Sequence, residues 1–252
     1  MNDILLSPDE RLDKVNENLT LIQKKDGLTF GTDAFLLASF IKSTPRKKAA
    51  ELGSGTGIIS LLLAEKNKLA HIHAIEIQED FAKITERNAI YNKLDSKIKT
   101  VNANVTNIKA ADLSGELDVV FSNPPYMKTD SGKRNESDAK YIARHEVCGD
   151  INAFCAAGFR LLKHGGKFYV VWRPDRLCDL LYALRENRLE PKIITFVHAD
   201  IQSEPSIVLV SAIKGGASSA KVTPPLFLYE DTSHTKMSER AQKIYDTMSF
   251  ED

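Results

Sequence analysis

The chain has 252 residues, 42% hydrophobic and 27% charged, the composition of an ordinary globular protein with room for one large core. Lys+Arg and Asp+Glu both total 34, so the net charge is zero; this argues against non-specific coating of nucleic acid but leaves room for local basic patches. Three cysteines (Cys148, Cys155, Cys178) form no CxxC pair, which argues against a disulfide framework and a zinc site and for reduced thiols. The opening MNDILLSPDERL has early acids and no apolar stretch, so no signal peptide is expected. The apolar run IISLLLA stops at Glu65, well short of the ~20 residues that cross a bilayer. A cytoplasmic protein is the expectation.

In chain order, LTLIQ (19–23) and LTF (28–30) predict a hairpin turning at Lys25-Asp26-Gly27. GTDAFLLASFIK (31–42) predicts a helix capped by Thr32 or Asp33, and KKAAEL (47–52) a strand. The run IISLLLAEK predicts a second helix, and HIHAIEI (71–77) alternates as a second strand. In QEDFAKITERNAIYNKL, Phe81, Ile84, Ala89 and Tyr91 are spaced for an amphipathic helix, and SKIKTVNAN and LDVVFSN supply two more strands. Residues 127–149 are polar and lack periodicity, and a connection of that length is usually functional or mobile. Beyond them, DINAFCAAGFRLLKHGG predicts a helix from Asp150 at the cap to Gly165 at the end. KFYVVW is a strand, and PDRLCDLLYALRENR opens a helix with Pro174 in its first turn. EPKIITFVHA and PSIVLVSAIK, joined by a short loop, must pair antiparallel, because parallel neighbours need a crossover. After GGASSAK (215–221), SERAQKIYDTM reads as a last helix. The order is therefore five strand–helix units followed by a hairpin at the sheet edge.

Two motifs carry chemistry. ELGSGTG (51–57) places Gly53, Gly55 and Gly57 between a strand and a helix, and Glu76 ends the next strand 19 positions after Gly57. A glycine turn lets backbone approach a ligand, and an acid at about that distance accepts ribose hydroxyls, so the pattern points to a nucleoside cofactor. The spacing G-x-G-x-G is not the dinucleotide G-x-G-x-x-G, and no Gly-Lys-Ser/Thr comes after it for a phosphate loop. The second motif is FSNPPYMK (121–128): two prolines stop the strand and rigidify the chain at its end.

These residues resemble the class I S-adenosylmethionine-dependent methyltransferases: ELGSGTG and Glu76 resemble their first motif and acidic loop, and NPPY the catalytic motif of those that methylate planar nitrogens. The resemblance implies a Rossmann-like α/β fold, with a seven-stranded mostly parallel sheet, a terminal antiparallel hairpin and helices on both faces. It divides the chain into an N-terminal hairpin and helix (1–45) forming a lid, a cofactor-binding catalytic domain (46–214), and an extension (215–252) on the sheet edge. It implies that Gly53, Gly55 and Gly57 approach the methionine end of the cofactor, that Glu51 lies near its amino group, and that Glu76 binds the ribose. Asn104 stands where such enzymes often carry an Asp for the adenine amino group, and Thr32 and Asp33 open a helix that could face the cofactor carboxylate.

NPPY has a chemical rationale of its own. The amino group of a nucleobase is a poor nucleophile because its lone pair is delocalised into the ring. Accepting its two hydrogens on the Asn123 side-chain oxygen and the Pro124 carbonyl favours a pyramidal nitrogen as charge develops. Pro125 stiffens the loop, and Tyr126 can stack on the base, which is worth ~1–3 kcal/mol. A base held in structured RNA must first be flipped out.

Three flanking segments, LTFGTDAFLLASF (28–40), ARHE (143–146) and PPLFLYED (224–231), resemble bacterial adenine-N6 methyltransferases acting at position 37 of valine tRNA. That resemblance implies a tRNA substrate; no metal site is expected from the residues, and although the sequence does not give the oligomeric state, a monomer is the expectation. Lys128, Lys133, Arg134, Lys140 and Arg144, with RKK at 46–48, are candidate phosphate contacts, and His145 a substrate-loop residue. Glu136 and Asp138 dilute that patch, while His71 and His73 on one strand face fit packing better than metal binding. NPPY alone does not separate adenine from guanine N2 or from the glutamine side chain of a release factor. An inactive cofactor-binding protein is the non-enzymatic alternative.

Overall fold

Short apolar runs alternating with amphipathic ones bury their strands on both faces. The computed structural model describes residues 6–26, 31–125 and 150–251. β1 (Glu10–Lys14) and β2 (Thr20–Lys24) form a separate antiparallel pair. Next come α1 (Thr32–Phe40), β3 (Thr44–Leu52), α2 (Ile58–Glu65), β4 (Leu69–Glu76), α3 (Glu79–Tyr91) and β5 (Ile98–Asn102). After a short 3-10 turn at Ala110–Leu113 come β6 (Leu117–Ser122), then α4 (Ile151–Leu161) and β7 (Leu162–Trp172). α5 (Leu177–Glu186) leads into the hairpin of β8 (Leu189–His198) and β9 (Pro205–Lys214). The C-terminal stretch adds β10 (Lys221–Val222), β11 (Leu226–Phe227) and α6 (Glu239–Thr247).

The main sheet runs β10-β8-β9-β7-β6-β3-β4-β5, with β11 also on β8. Pairing is parallel from β7 through β5 and antiparallel at β7–β9 and β8–β9. Nine strands replace the seven expected, and the hairpin is not the rim, because β10 and β11 both pair with β8. An uncovered β8 would offer unpaired backbone to any other chain, and these two short strands cover it. Strand order reverses at β3, which has β4 on one side and β6 on the other. The crevice at such a reversal is where open α/β sheets bind ligands.

Side-chain alternation splits the core between the two faces. Ala49, Val119 and Phe121 pack with Leu36 and Leu37 of α1, Leu61 and Leu62 of α2, and Ala241 and Ile244 of α6. Ala50, Leu52 and Val120 point the other way, toward Phe154 and Leu161 of α4 and Leu180 and Leu184 of α5. Buried Lys68 joins two helix ends: its Nζ donates to the carbonyls of Ala38 and Ser39 in α1 and of Met248 after α6. A cation suits the negative end of a helix, although burial lowers this amine to about 8.

Several expectations are corrected. The 20–24 strand pairs with 10–14, and the other half of the expected hairpin, 28–30, lies outside the described residues. β1 reads ERLDK, too polar to stand out as a strand, and it seats Glu10 against Arg87 of α3 at 2.7 Å. α1 is capped by Gly31 rather than by Thr32 or Asp33, without a side-chain cap bond. Gly165 does not end α4: Leu162 is already extended and pairs with Leu117, so the sheet takes over four residues from the helix. Gly165 instead sits at φ +75° where the pairing of β7 with β6 shifts register. Tyr91, expected on the apolar face of α3, is exposed.

Candidate active site

β3 and β6 end side by side, since Leu52 and Ser122 are register partners and Ser122 Oγ donates to the Leu52 carbonyl at 2.7 Å. Gly53 and Asn123 therefore leave the sheet together, and the two sequence motifs meet. Gly53, Gly55 and Gly57 all have φ between +55° and +81°, a region costly for other residues. Gly57 is also sterically required, because a Cβ there would lie 2.7 Å from Thr85 Cγ2.

The loop is tied from outside as well. Gly53 N and Ser54 N donate to the Ile75 carbonyl, and Gly55 N donates to Glu76 Oε2 at 2.9 Å. Thr85 Oγ1 donates to the Gly55 carbonyl at 2.8 Å. Asn88 Nδ2 donates to the carbonyls of Thr56 and Ile22, while Asn88 Oδ1 accepts from Ile22 N. One buried side chain thus clamps the loop to β2. Neither Thr85 nor Asn88 was singled out from sequence, yet both are polar residues on the apolar stripe of α3, a legible signal.

Two carboxylates lie beneath the loop. Glu76 is 5% exposed and accepts from Gly55 N and Gln78 N; burial raises its pKa and these backbone bonds oppose the rise. Glu51 is 1% exposed and accepts from Ser60 N at 3.1 Å and from Ser60 Oγ. Burial pushes Glu51 up to about 8, against the Ser60 hydrogen bonds and with a smaller contribution from the Glu76 charge. A cationic group brought beside these carboxyls would favour their ionised forms and lower their pKa values again. Ser54 Oγ is buried without a hydrogen-bond partner, a polar atom inside the loop for a ligand to satisfy. Glycine backbone, paired acids and an orphan hydroxyl fit S-adenosylmethionine, a cation with an amino acid end and a ribose.

The other half of the site is the end of β6. Asn123 and Pro125 are half-buried and Pro124 is buried. Asn123 Nδ2 donates to Asp33 Oδ2 at 2.8 Å, and Asp33 Oδ1 accepts from Ala34 N at 2.9 Å. α1 is fixed in turn by α6: Phe35 stacks on Tyr245 at 4.3 Å, and Thr32 hydrogen-bonds the Tyr245 side chain. The pair Thr32 and Asp33 therefore divides, Thr32 toward α6 and Asp33 toward Asn123.

The structure does not gather every residue singled out from the sequence. Asn104 Oδ1 accepts from both Thr106 N and Thr106 Oγ1, so this oxygen builds a turn after β5. Arg46, Lys47 and Lys48 lie toward the start of β3, at the end of the strand away from Asn123, and Lys47 pairs with Asp118 at 3.2 Å. Tyr126, Lys128, Lys133, Arg134, Lys140, Arg144 and His145 lie outside the described residues. Among the described residues no group of three or more His, Cys, Asp or Glu side chains could hold a metal. No described helix is long and apolar enough to cross a membrane.

Comparison with known proteins places the chain in a family. A Phocaeicola vulgatus protein named tRNA1(Val) (adenine(37)-N6)-methyltransferase is 29% identical over 77% of this chain and 81% of its own. A Porphyromonas gingivalis protein of the same name is 27% identical over 71% of this chain and 72% of its own. Among solved structures, a predicted O-methyltransferase from Agrobacterium tumefaciens superposes with a TM-score of 0.69 at 20% identity, covering 86% of this chain and 97% of that one. M. jannaschii TYW2 in complex with AdoMet gives 0.56 at 14% identity, over 83% of this chain and 87% of that one. These likenesses show the fold, and the methyltransferase small domain model matches residues 23–187, well over half of the chain. The protein belongs to the methyltransferase small domain family.

Proposed function

We propose that this methyltransferase transfers a methyl group from S-adenosylmethionine to the exocyclic N6 of an adenine in tRNA, adenine 37 in the anticodon loop of valine tRNA. The observation that carries it is the side-by-side exit of Gly53 and Asn123 from the sheet, with the Asn123 amide held by Asp33. The names carried by the relatives support the choice of adenine and of tRNA. The cofactor supplies an activated methyl group on a cationic sulfur.

The chain does the rest by binding and orienting. Gly53, Gly55 and Gly57 bring backbone close to the methionine end, Glu51 stands by its amino group, and Glu76 takes the ribose. Asn123 Oδ1 and the Pro124 carbonyl accept the two amino hydrogens of the target base, which favours the pyramidal nitrogen that attacks. Fixed φ angles at Pro124 and Pro125 keep that carbonyl in place without ordering cost at the moment of reaction. Tyr126 stacks on the flipped base, and the cations of 128–144 meet tRNA phosphates. Residues 1–45 form a lid over this centre, and residues 215–252 brace it.

The test is incubation with a labelled methyl donor and undermodified tRNA, then digestion to nucleosides. Label on N6-methyladenosine is expected. Label only in protein, or only on guanine, overturns the substrate assignment in favour of a glutamine or guanine-N2 target.

A further inference from the structure

We infer that Asp33 is a positioning residue for methyl transfer, acting through Asn123 rather than on the cofactor; this rests on the role proposed for Asn123 in catalysis. An ionised carboxylate only accepts hydrogen bonds, so the end of the Asn123 amide that faces Asp33 Oδ2 at 2.8 Å must be the NH2 group. The oxygen is thereby fixed as the opposite end of the amide. Rotated by half a turn, the amide would present two donors to an amino group that is itself a donor, and the site would repel its substrate. Asp33 selects the rotamer that attracts it.

The carboxylate does more than choose an end. A hydrogen bond to an anion is shorter and stronger than a neutral one, and bonds in series polarise each other. Negative charge on Asp33 therefore raises electron density on Asn123 Oδ1, and it stands one amide away from the nitrogen that becomes positive as it is methylated. Its attraction for that nitrogen is weak in the ground state and grows with the developing charge, so it acts on turnover more than on binding. The placement of Asp33 suits this. It occupies the first turn of α1, where the helix favours an anion, and it spends one oxygen on Ala34 N and the other on Asn123. An anion at this point would also repel a cofactor carboxylate, which disfavours Asp33 as a direct cofactor contact.

The test uses the full chain with Asp33→Ala and Asp33→Asn. Side-chain amide resonances of Asn123, assigned by their loss in Asn123→Ala, report the hydrogen bond without any turnover. In Asp33→Ala the Asn123 NH2 signals are expected to move to the positions of a solvated amide; in Asp33→Asn, which keeps an acceptor, they move less. In the labelled-tRNA assay, kcat should fall about 10- to 100-fold in Asp33→Ala, within the cost of misplacing a reacting group by about 1 Å. Asp33→Asn should recover part of that loss, while cofactor affinity by calorimetry and the thermal midpoint stay near wild type in both. Unmoved Asn123 signals overturn the inference, as does wild-type kcat in Asp33→Ala. A loss of cofactor affinity that matches the loss of kcat overturns it too, by returning Asp33 to the cofactor. Failure of the tRNA reading shows separately, as label on another acceptor, and the amide resonances are read without it.

Discussion

The glycine loop and the end of β6 meet at one crevice but are held together over very different stretches of chain. The loop is closed by contacts 21 residues apart (Gly55 to Glu76), 30 apart (Thr85 to Gly55) and 32 apart (Asn88 to Thr56). The transfer corner is closed by contacts 70 apart (Ser122 to Leu52) and 90 apart (Asn123 to Asp33), and its helix α1 leans on α6 near the other end of the chain. The cradle is thus mostly a product of one β-α-β unit and its helix, with the Asn88 clamp to Ile22 reaching 66 residues back to β2, whereas the corner exists only when the whole sheet has assembled. The two halves should fail differently when perturbed.

The largest effect belongs to the corner. Asn123→Ala should reduce methyl transfer by about 10²–10³-fold or abolish it, the cost of removing a preorganised polar group from a transition state. Cofactor binding measured by calorimetry should survive; wild-type turnover would remove Asn123 from the chemistry.

Breaking the cradle should cost stability and cofactor affinity together. Gly57→Ala forces φ +81° on a residue whose Cβ meets Thr85 Cγ2 at 2.7 Å, and about 1–3 kcal/mol should be lost in urea unfolding. Adding Thr85→Ser removes the clashing methyl group and should restore part of the loss, leaving the backbone strain and the tight contact with Oγ1 at 3.3 Å.

The buried acids give the cradle a pH signature. The Glu51 carboxyl lies at about 8 when folded against an ordinary 4.5, so between those values the folded chain keeps a proton that the unfolded chain has released. The contribution of Glu51 to stability is therefore greatest below about 4.5 and is lost as pH rises through 8, with a slope of at most about 1.4 kcal/mol per pH unit for one proton. Glu76, raised in the same direction by burial, adds to it. Glu51→Gln should flatten the slope in melts of the cofactor-free protein, and an unchanged slope would assign it to other groups. The smallest effect is that of Tyr245→Phe, which removes the bond to Thr32 but keeps the stack on Phe35. A loss of about 1 kcal/mol is expected, visible as a melting shift of about 2–4 °C.

Much of the cradle was legible because its signals are local. Glycines at fixed offsets after KKAAEL, an apolar helix and an acid closing HIHAIEI can be read in order without knowing what lies across the sheet. Asn88 and Thr85 were legible in principle, since a polar residue on an apolar helix stripe needs a buried partner. The outer strands were not. β10 and β11 are two residues each, below any periodicity, and they form because β8 presents an open edge. β1 is a polar run that becomes a strand through pairing with β2 and through the ion pair of Glu10 with Arg87. Asn104 stands by position where a cofactor contact is expected, yet its oxygen is taken by Thr106, a choice made by local turn chemistry.

By itself the sequence determined the alternation of strands and helices, the glycine turn with its left-handed backbone, and the rigid end of β6, because each depends on neighbours a few residues away. Tertiary structure alone decided that Asp33 faces Asn123, that Glu51 is buried against Ser60, and that the C-terminal strands complete the sheet. Those outcomes depend on which surfaces remain to be covered once the sheet has formed, and residues far apart in the chain carry no mark of one another until then.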